Sequence, residues 1–276
     1  MGEGIHIALK AEHIAQVWGI PITNTMLMSW LVMVVLVIIA YFVGKNIQKI
    51  PSKAQTFFET LFSFLLDYFE EVLESRELAK RFFPLITTFF LFILLGNWFG
   101  LIPGVGSVFI EQPEPVVAYE EHSTGIEKSP RDEQETVNAQ AHEASSHVAL
   151  FHPVSVDLNF TLALALISFL LVEVSGIMYV GALHYVGKFI NFKSPVGFLV
   201  GIIELLSEVA RLVSFSFRLF GNMFAGKTLI LVAMFFVPLI LPVPLMLYEV
   251  FVGLIQASIF SLLTLFFIKL AISEAH

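Results

Sequence analysis

Five ionisable side chains, Glu204, Glu208, Arg211, Arg218 and Lys227, lie within a strongly apolar region of this chain. On a helix turning about 100° per residue, Glu204, Ser207, Glu208, Arg211, Ser214, Arg218 and Asn222 share an arc of about 120°. Leu205, Val209, Leu212, Phe220 and Phe224 take other directions. A charge at the centre of a bilayer costs about 2.5–3.5 kcal/mol on insertion scales, so the stripe must face protein or water. The plainer account, Arg and Glu pairing with each other or snorkelling to an interface, suits Glu204, Glu208 and Arg211 near the start of the apolar region. It suits Arg218 poorly, because that residue lies about 21 Å further along the helix than Glu204. A guanidinium stays protonated at any ordinary pH and can attract an ionised carboxylate without conducting protons. An ammonium such as that of Lys227 can release its proton when desolvated. In the next apolar stretch Glu249 and Gln256, seven residues apart, share a helical face. Such groups could handle ions or protons inside a membrane.

Two other chemistries are weaker. Gly221–Thr228 reads GNMFAGKT, a literal match to the phosphate-binding pattern GxxxxGK(S/T). That loop works between a strand and a helix, with backbone N–H groups free to point at phosphate, whereas both flanks here are apolar helix. No nucleotide site and no cofactor are expected. His122, His142, His147 and His152 sit in or beside a polar loop without short repeated ligand spacing, so they read as solvated side chains rather than metal ligands. Cysteine is absent, which removes disulfides and thiolate metal sites.

The elements that position the charged stripe belong to a membrane protein. Of the 276 residues 57% are apolar and only 14% charged, with a mean hydropathy of +0.84, far from the roughly 25% charged share of soluble domains. The net charge of −8 argues against a nucleic-acid partner, but it is concentrated outside the apolar stretches. Residues 1–25 mix Glu3, Lys10 and Glu12 with apolar residues, lack a secretory-signal pattern and read as a retained external segment. Residues 26–43 form a first span, followed by Lys45, Lys49 and Lys53, which mark the cytoplasmic side. Over 53–81, Phe58, Phe62, Leu65, Phe69 and Val72 recur at helical spacing, with Glu59, Asp67, Glu70 and Glu74 elsewhere. That pattern predicts an amphipathic helix at the membrane surface. A second span covers 82–103. The stretch 104–157 reads as an external loop, carrying nine acids between Glu111 and Glu143. A third span covers 158–187, with Glu173 as its acid and with Lys188 and Lys193 beyond it. Residues 197–237 then run without proline over about 60 Å, twice the hydrocarbon thickness. Pro238, Pro242 and Pro244 separate this stretch from 245–270. The expected fold is an all-α polytopic membrane protein with about five crossings, two of them long, steeply tilted helices in a C-terminal hairpin.

Arg218–Gly226 reads RLFGNMFAG, and with Gln256 in the following helix this is similar to the signature of subunit a of bacterial F-type ATP synthases. The resemblance covers most of the chain in span order and is strongest from Glu204 to Gln256. It implies a non-catalytic stator subunit with two offset proton half-channels serving a ring of c subunits, and Arg218 matches the family's essential arginine. Glu204, Ser207, Ser214 and Asn222 resemble cytoplasmic-path positions. Lys227, Glu249 and Gln256 resemble outer-path positions, to which Asp157 and Asn159 are possible additions. Where many relatives carry an acid or histidine this chain has Lys227, and where histidine is common it has Glu249, so the resemblance implies a Lys–Glu pair. The implied partners are the c-ring, the b subunits of the peripheral stalk and the rest of the complex. The implied location is the bacterial inner membrane, N-terminus outside and C-terminus cytoplasmic. The coupling ion stays open between H⁺ and Na⁺, and Glu173 between an interhelical pair and a path-lining acid. An independent ion channel or secondary transporter would also justify a charged stripe.

Overall fold

The computed structural model describes residues 13–17, 20–45, 47–102, 105, 109–113, 145–182, 185, 187, 195–238 and 240–273. Among them are six α-helices: α1 (Asn24–Lys45), α2 (Lys53–Leu73), α3 (Arg76–Phe99), α4 (Leu158–Val180), α5 (Pro195–Phe236) and α6 (Pro242–Ser273). A short 3-10 helix, Val154–Val156, leads into α4. Two strand pairs lie outside the helices, β1 (His13–Val17) with β2 (Ile20–Thr23), and β3 (Phe109–Pro113) with β4 (Ser145–Ala149). The sequence pattern did not predict these strands. The acid-rich part of the expected loop, 114–144, lies outside the described residues, as do Lys188 and Lys193.

Four helices, α1, α3, α4 and α6, are long and apolar enough to cross a membrane. α5 has the length, at 42 residues or about 63 Å, but carries the charged stripe. The chain is thus an all-α polytopic membrane protein in its helical body.

Several boundaries differ from the sequence reading for local reasons. The stretch 53–81 is not one helix. α2 ends at Leu73, Glu74 adopts a left-handed conformation with φ of 53°, and the Ser75 hydroxyl caps α3 by accepting from the Leu78 N–H. α3 therefore begins at Arg76 rather than at residue 82. α4 stops at Val180 because Gly181 turns to a φ of 90°. Pro242 and Pro244 open α6 rather than precede it, since a first helical turn needs no intrahelical N–H donors.

α5 and α6 run antiparallel. Phe215 packs against Phe260, Asn222 meets Gln256, and Gly226 meets Glu249, so rising numbers on one helix face falling numbers on the other. α3 packs along α6 in the same sense, with Phe89 against Phe260 and the Trp98 indole N–H donating to the Val250 carbonyl at 3.0 Å. Ser168 on α4 and Thr264 on α6 share a buried hydrogen bond of 2.7 Å. The core that forms between these helices includes Phe69, Ile86, Ile93, Ala165, Leu219, Phe260 and Ile268. On α2 the expected Leu65 and Phe69 are buried together with Leu73, while Phe58, Phe62 and Val72 are half-buried. α1 is mostly exposed; its first turn is tied to α4 by Thr25, whose hydroxyl donates to the Asp157 carboxylate at 3.0 Å.

Candidate ion path along the C-terminal hairpin

The polar stripe of α5 straddles the boundary between the packed and exposed sides of the helix. Phe215, Leu219, Met223 and Ile230 define the packed direction. Glu208, nearest to it, is buried and accepts from Arg211 at 2.9 Å, and the Arg211 guanidinium lies 4.0 Å from the Phe267 ring centre. This pair turns into the bundle, so the plainer account holds for it. Glu204 is half-buried one turn earlier.

Ser207, Ser214, Arg218 and Asn222 face outward. Arg218 makes no hydrogen bond or ion pair with another described residue. Small residues flank it on the same side, with Ala210 and Ala225 also exposed, while Val213 and Phe217 expose apolar surface beside it. Arg218 lies about 35 Å along α5 from Pro195, far from either end. A lone guanidinium on an apolar face at that depth is poorly placed against lipid. Asn222, one turn on, links this face to the interior by donating to Gln256 Oε1 at 2.7 Å, and Gln256 is fully enclosed between the helices.

A second polar group gathers about 14 Å beyond Arg218. There the ends of α3 and α5 meet the 3-10 helix before α4 and the start of α6 around a cavity of about 350 Å³, whose walls include Asn97, Leu101, Ser155, Met223, Lys227 and Met246. Ser155 donates to Asn97 Oδ1 at 2.6 Å. The buried Glu249 carboxyl lies directly against Gly226. The Lys227 ammonium lies 2.6 Å from Nε2 of His152.

His152 is the residue that sequence reasoning missed. Read as a solvated loop side chain, it is only 7% exposed, and it packs against Lys227 from 75 residues away in the chain. Desolvation first, then the Lys227 charge, push its pKa down to about 4, partly opposed by the Pro153 backbone. The one available signal was its place directly before Pro153 and the 3-10 helix that leads into α4. His122 and His142 lie outside the described residues.

Asp157 and Asn159 have different surroundings. Asp157 is buried, but one oxygen caps α4 through the Asn159 N–H at 2.9 Å and the other accepts from Thr25. Asn159 is exposed. Glu173 is half-buried within α4. The GNMFAGKT segment lies inside unbroken α5, where its backbone N–H groups belong to the helical ladder, so the phosphate-loop reading fails. Among the described residues no group of three His, Asp or Glu is placed to hold a metal ion.

Residues 26–269 match the family described as ATP synthase A chain. A protein of Desulfotalea psychrophila named ATP synthase subunit a is 33% identical to this chain, covering 90% of it and 84% of the relative. The protein of the same name from Geobacter sulfurreducens is 29% identical, covering 97% and 94%. One from Propionigenium modestum, named ATP synthase subunit a, sodium ion specific, is 29% identical, covering 96% and 79%.

Proposed function

This chain belongs to the ATP synthase A chain family, and from that premise we propose that it is the stationary membrane subunit that leads protons to and from a rotating c-ring. Its place is in the membrane sector of an F-type ATP synthase, as a non-catalytic subunit. The observation that carries the finer reading is Arg218, a permanent cation exposed on an apolar face without a partner among the described residues. Such a charge calls for a carboxylate from outside the chain, which a ring of c subunits would supply.

The two polar groups on either side of Arg218 support two offset paths. Protons enter through the cavity beside Lys227, Glu249 and Gln256 and neutralise a ring carboxylate, which can then turn into lipid. After a revolution the carboxyl releases its proton toward Ser214, Ser207 and Glu204. Asn222 stands beside Arg218 where the two regions approach. The arginine holds the returning carboxylate ionised and, because it does not release its own proton, keeps the two paths from joining. The b subunits of the peripheral stalk are further partners. Lys45, Lys49 and Lys53 orient the chain with its N-terminus outside and its C-terminus in the cytoplasm of a bacterial cell.

The test uses vesicles carrying the assembled complex, with assembly checked by co-purification of the ring. Arg218→Ala abolishes proton-driven ATP synthesis and opens a passive proton leak; Arg218→Lys abolishes synthesis because the ammonium lacks the planar fork and can lose its proton when desolvated. Near-normal synthesis in an assembled Arg218→Ala complex overturns the reading in favour of an independent channel, which would also conduct in liposomes holding this chain alone. Synthesis driven by a sodium gradient at zero pH difference would replace H⁺ by Na⁺, as the name of the Propionigenium modestum relative states for that protein. Cysteines placed at Ser123 and Ser194 label from opposite sides with an impermeant reagent, and same-side labelling refutes the orientation.

A further inference from the structure

We propose that His152 exchanges protons with Lys227, so that the outer path of this chain runs through a histidine–lysine pair. The inference rests on the half-channel reading above and adds to it a residue from outside the C-terminal hairpin.

The geometry carries the argument. His152 Nε2 and Lys227 Nζ are 2.6 Å apart, and two protonated nitrogens would repel at that separation. One proton therefore lies between them. Either the ammonium donates to an unprotonated Nε2, or an imidazolium Nε2–H donates to a neutral amine. Passage from the first state to the second breaks one N–H bond on Nζ and forms one on Nε2, leaving the total charge unchanged. Nδ1 is enclosed without a hydrogen-bond partner among the described residues, so the proton taken up at Nε2 leaves again through Nε2 to Lys227, which lines the cavity; the imidazole thus holds and returns a proton where a fixed donor could not.

Access to the pair runs through the lysine. Lys227 lines the 350 Å³ cavity, and so do Pro153 and Ser155, the residues that follow His152. That volume holds on the order of ten waters at about 30 Å³ each. Burial and the neighbouring charge keep the imidazole unprotonated at neutral pH, so the resting proton belongs to the lysine. The elements packed on the 3-10 helix beside His152 are α1, α3, α4 and α5. At this end α1 and α3 bring Asn24, Thr25 and Asn97, none of them titratable. α4 brings Asp157, already held by Thr25 and the Asn159 N–H, and α5 brings Lys227. From α6, Glu249 reaches Gly226, the residue next to Lys227.

A histidine that merely satisfied the lysine would be replaceable by any acceptor. His152→Gln keeps an acceptor for the ammonium but cannot take up a proton at ordinary pH. In vesicles of the assembled complex, H152Q is expected to lower proton flux and ATP synthesis at least about tenfold. H152A is expected to show the same loss and to recover part of the flux when imidazole is added on the outer side. Near-wild-type flux in H152Q overturns the proposal, as does an assembled H152A complex that imidazole leaves unchanged; should H152A fail to assemble, H152Q decides alone. Arg218→Ala is measured in the same vesicles. If it blocks synthesis while H152Q runs normally, only the role of His152 falls, whereas normal synthesis in Arg218→Ala removes the half-channel reading beneath it.

Discussion

The carboxyl group of Glu249 rests directly on Gly226, in the space where a β-carbon would overlap both carboxyl oxygens. Glycine at this position therefore sets how near a buried acid can come to the neighbouring Lys227.

Gly226→Ala is expected to push the Glu249 carboxyl, the movable end of its side chain, off this position, to cost up to about 1 kcal/mol as mild overpacking, and to reduce proton flux. Gly221→Ala has nothing within 4 Å of the added methyl and should stabilise α5 by about 0.5–1 kcal/mol. Thermal unfolding of the detergent-solubilised protein separates the two. Equal stability of both variants would show that the Gly226 contact has slack.

Lys227 and Glu249 sit at the same end of the hairpin, one against His152 and the other against the preceding glycine. The charge exchange Lys227→Glu with Glu249→Lys is expected to retain more proton flux than either single change, because coupled sites are non-additive. A double variant no better than the worse single removes the pairing and leaves His152 as the partner of Lys227.

At the other end of the bundle Lys269 donates to Glu74 at 2.7 Å, joining α6 to the turn between α2 and α3. This hydrogen bond, with the lysine charge, holds the Glu74 carboxyl below the usual glutamate value. A lowered folded-state pKa stabilises above the ordinary value of 4.5, and the contribution is lost as pH falls through the lowered one. Lys269→Met should therefore lower the melting temperature slightly at neutral pH, where the contribution is present in full, and converge with the parent as pH falls through the lowered value; the difference stays small because the pair is solvent-screened. Superimposable profiles for variant and parent would assign the bridge no role in stability.

Much of the architecture was legible in the residues because a membrane imposes a simple test of length and polarity. Apolar runs overlap α1, α3, α4 and α6, although α3 starts at Arg76 rather than residue 82 and α4 stops at Val180 rather than residue 187. The proline-free stretch before Pro238 announced the length of α5, and its depth marked Arg218 as a charge that snorkelling could not explain. Helical periodicity also gathered the polar groups of α5 on one stripe. It could not say how that stripe is rotated against its neighbours. Only packing turned Glu208 and Arg211 inward toward Phe267 while leaving Ser214 and Arg218 outside. The contact of Lys227 with His152 depends on bringing together residues 75 positions apart, and no local pattern encodes such a distance. The contact of Glu249 with Gly226 likewise joins residues on two different helices, and no local pattern sets which turn of one faces which turn of the other.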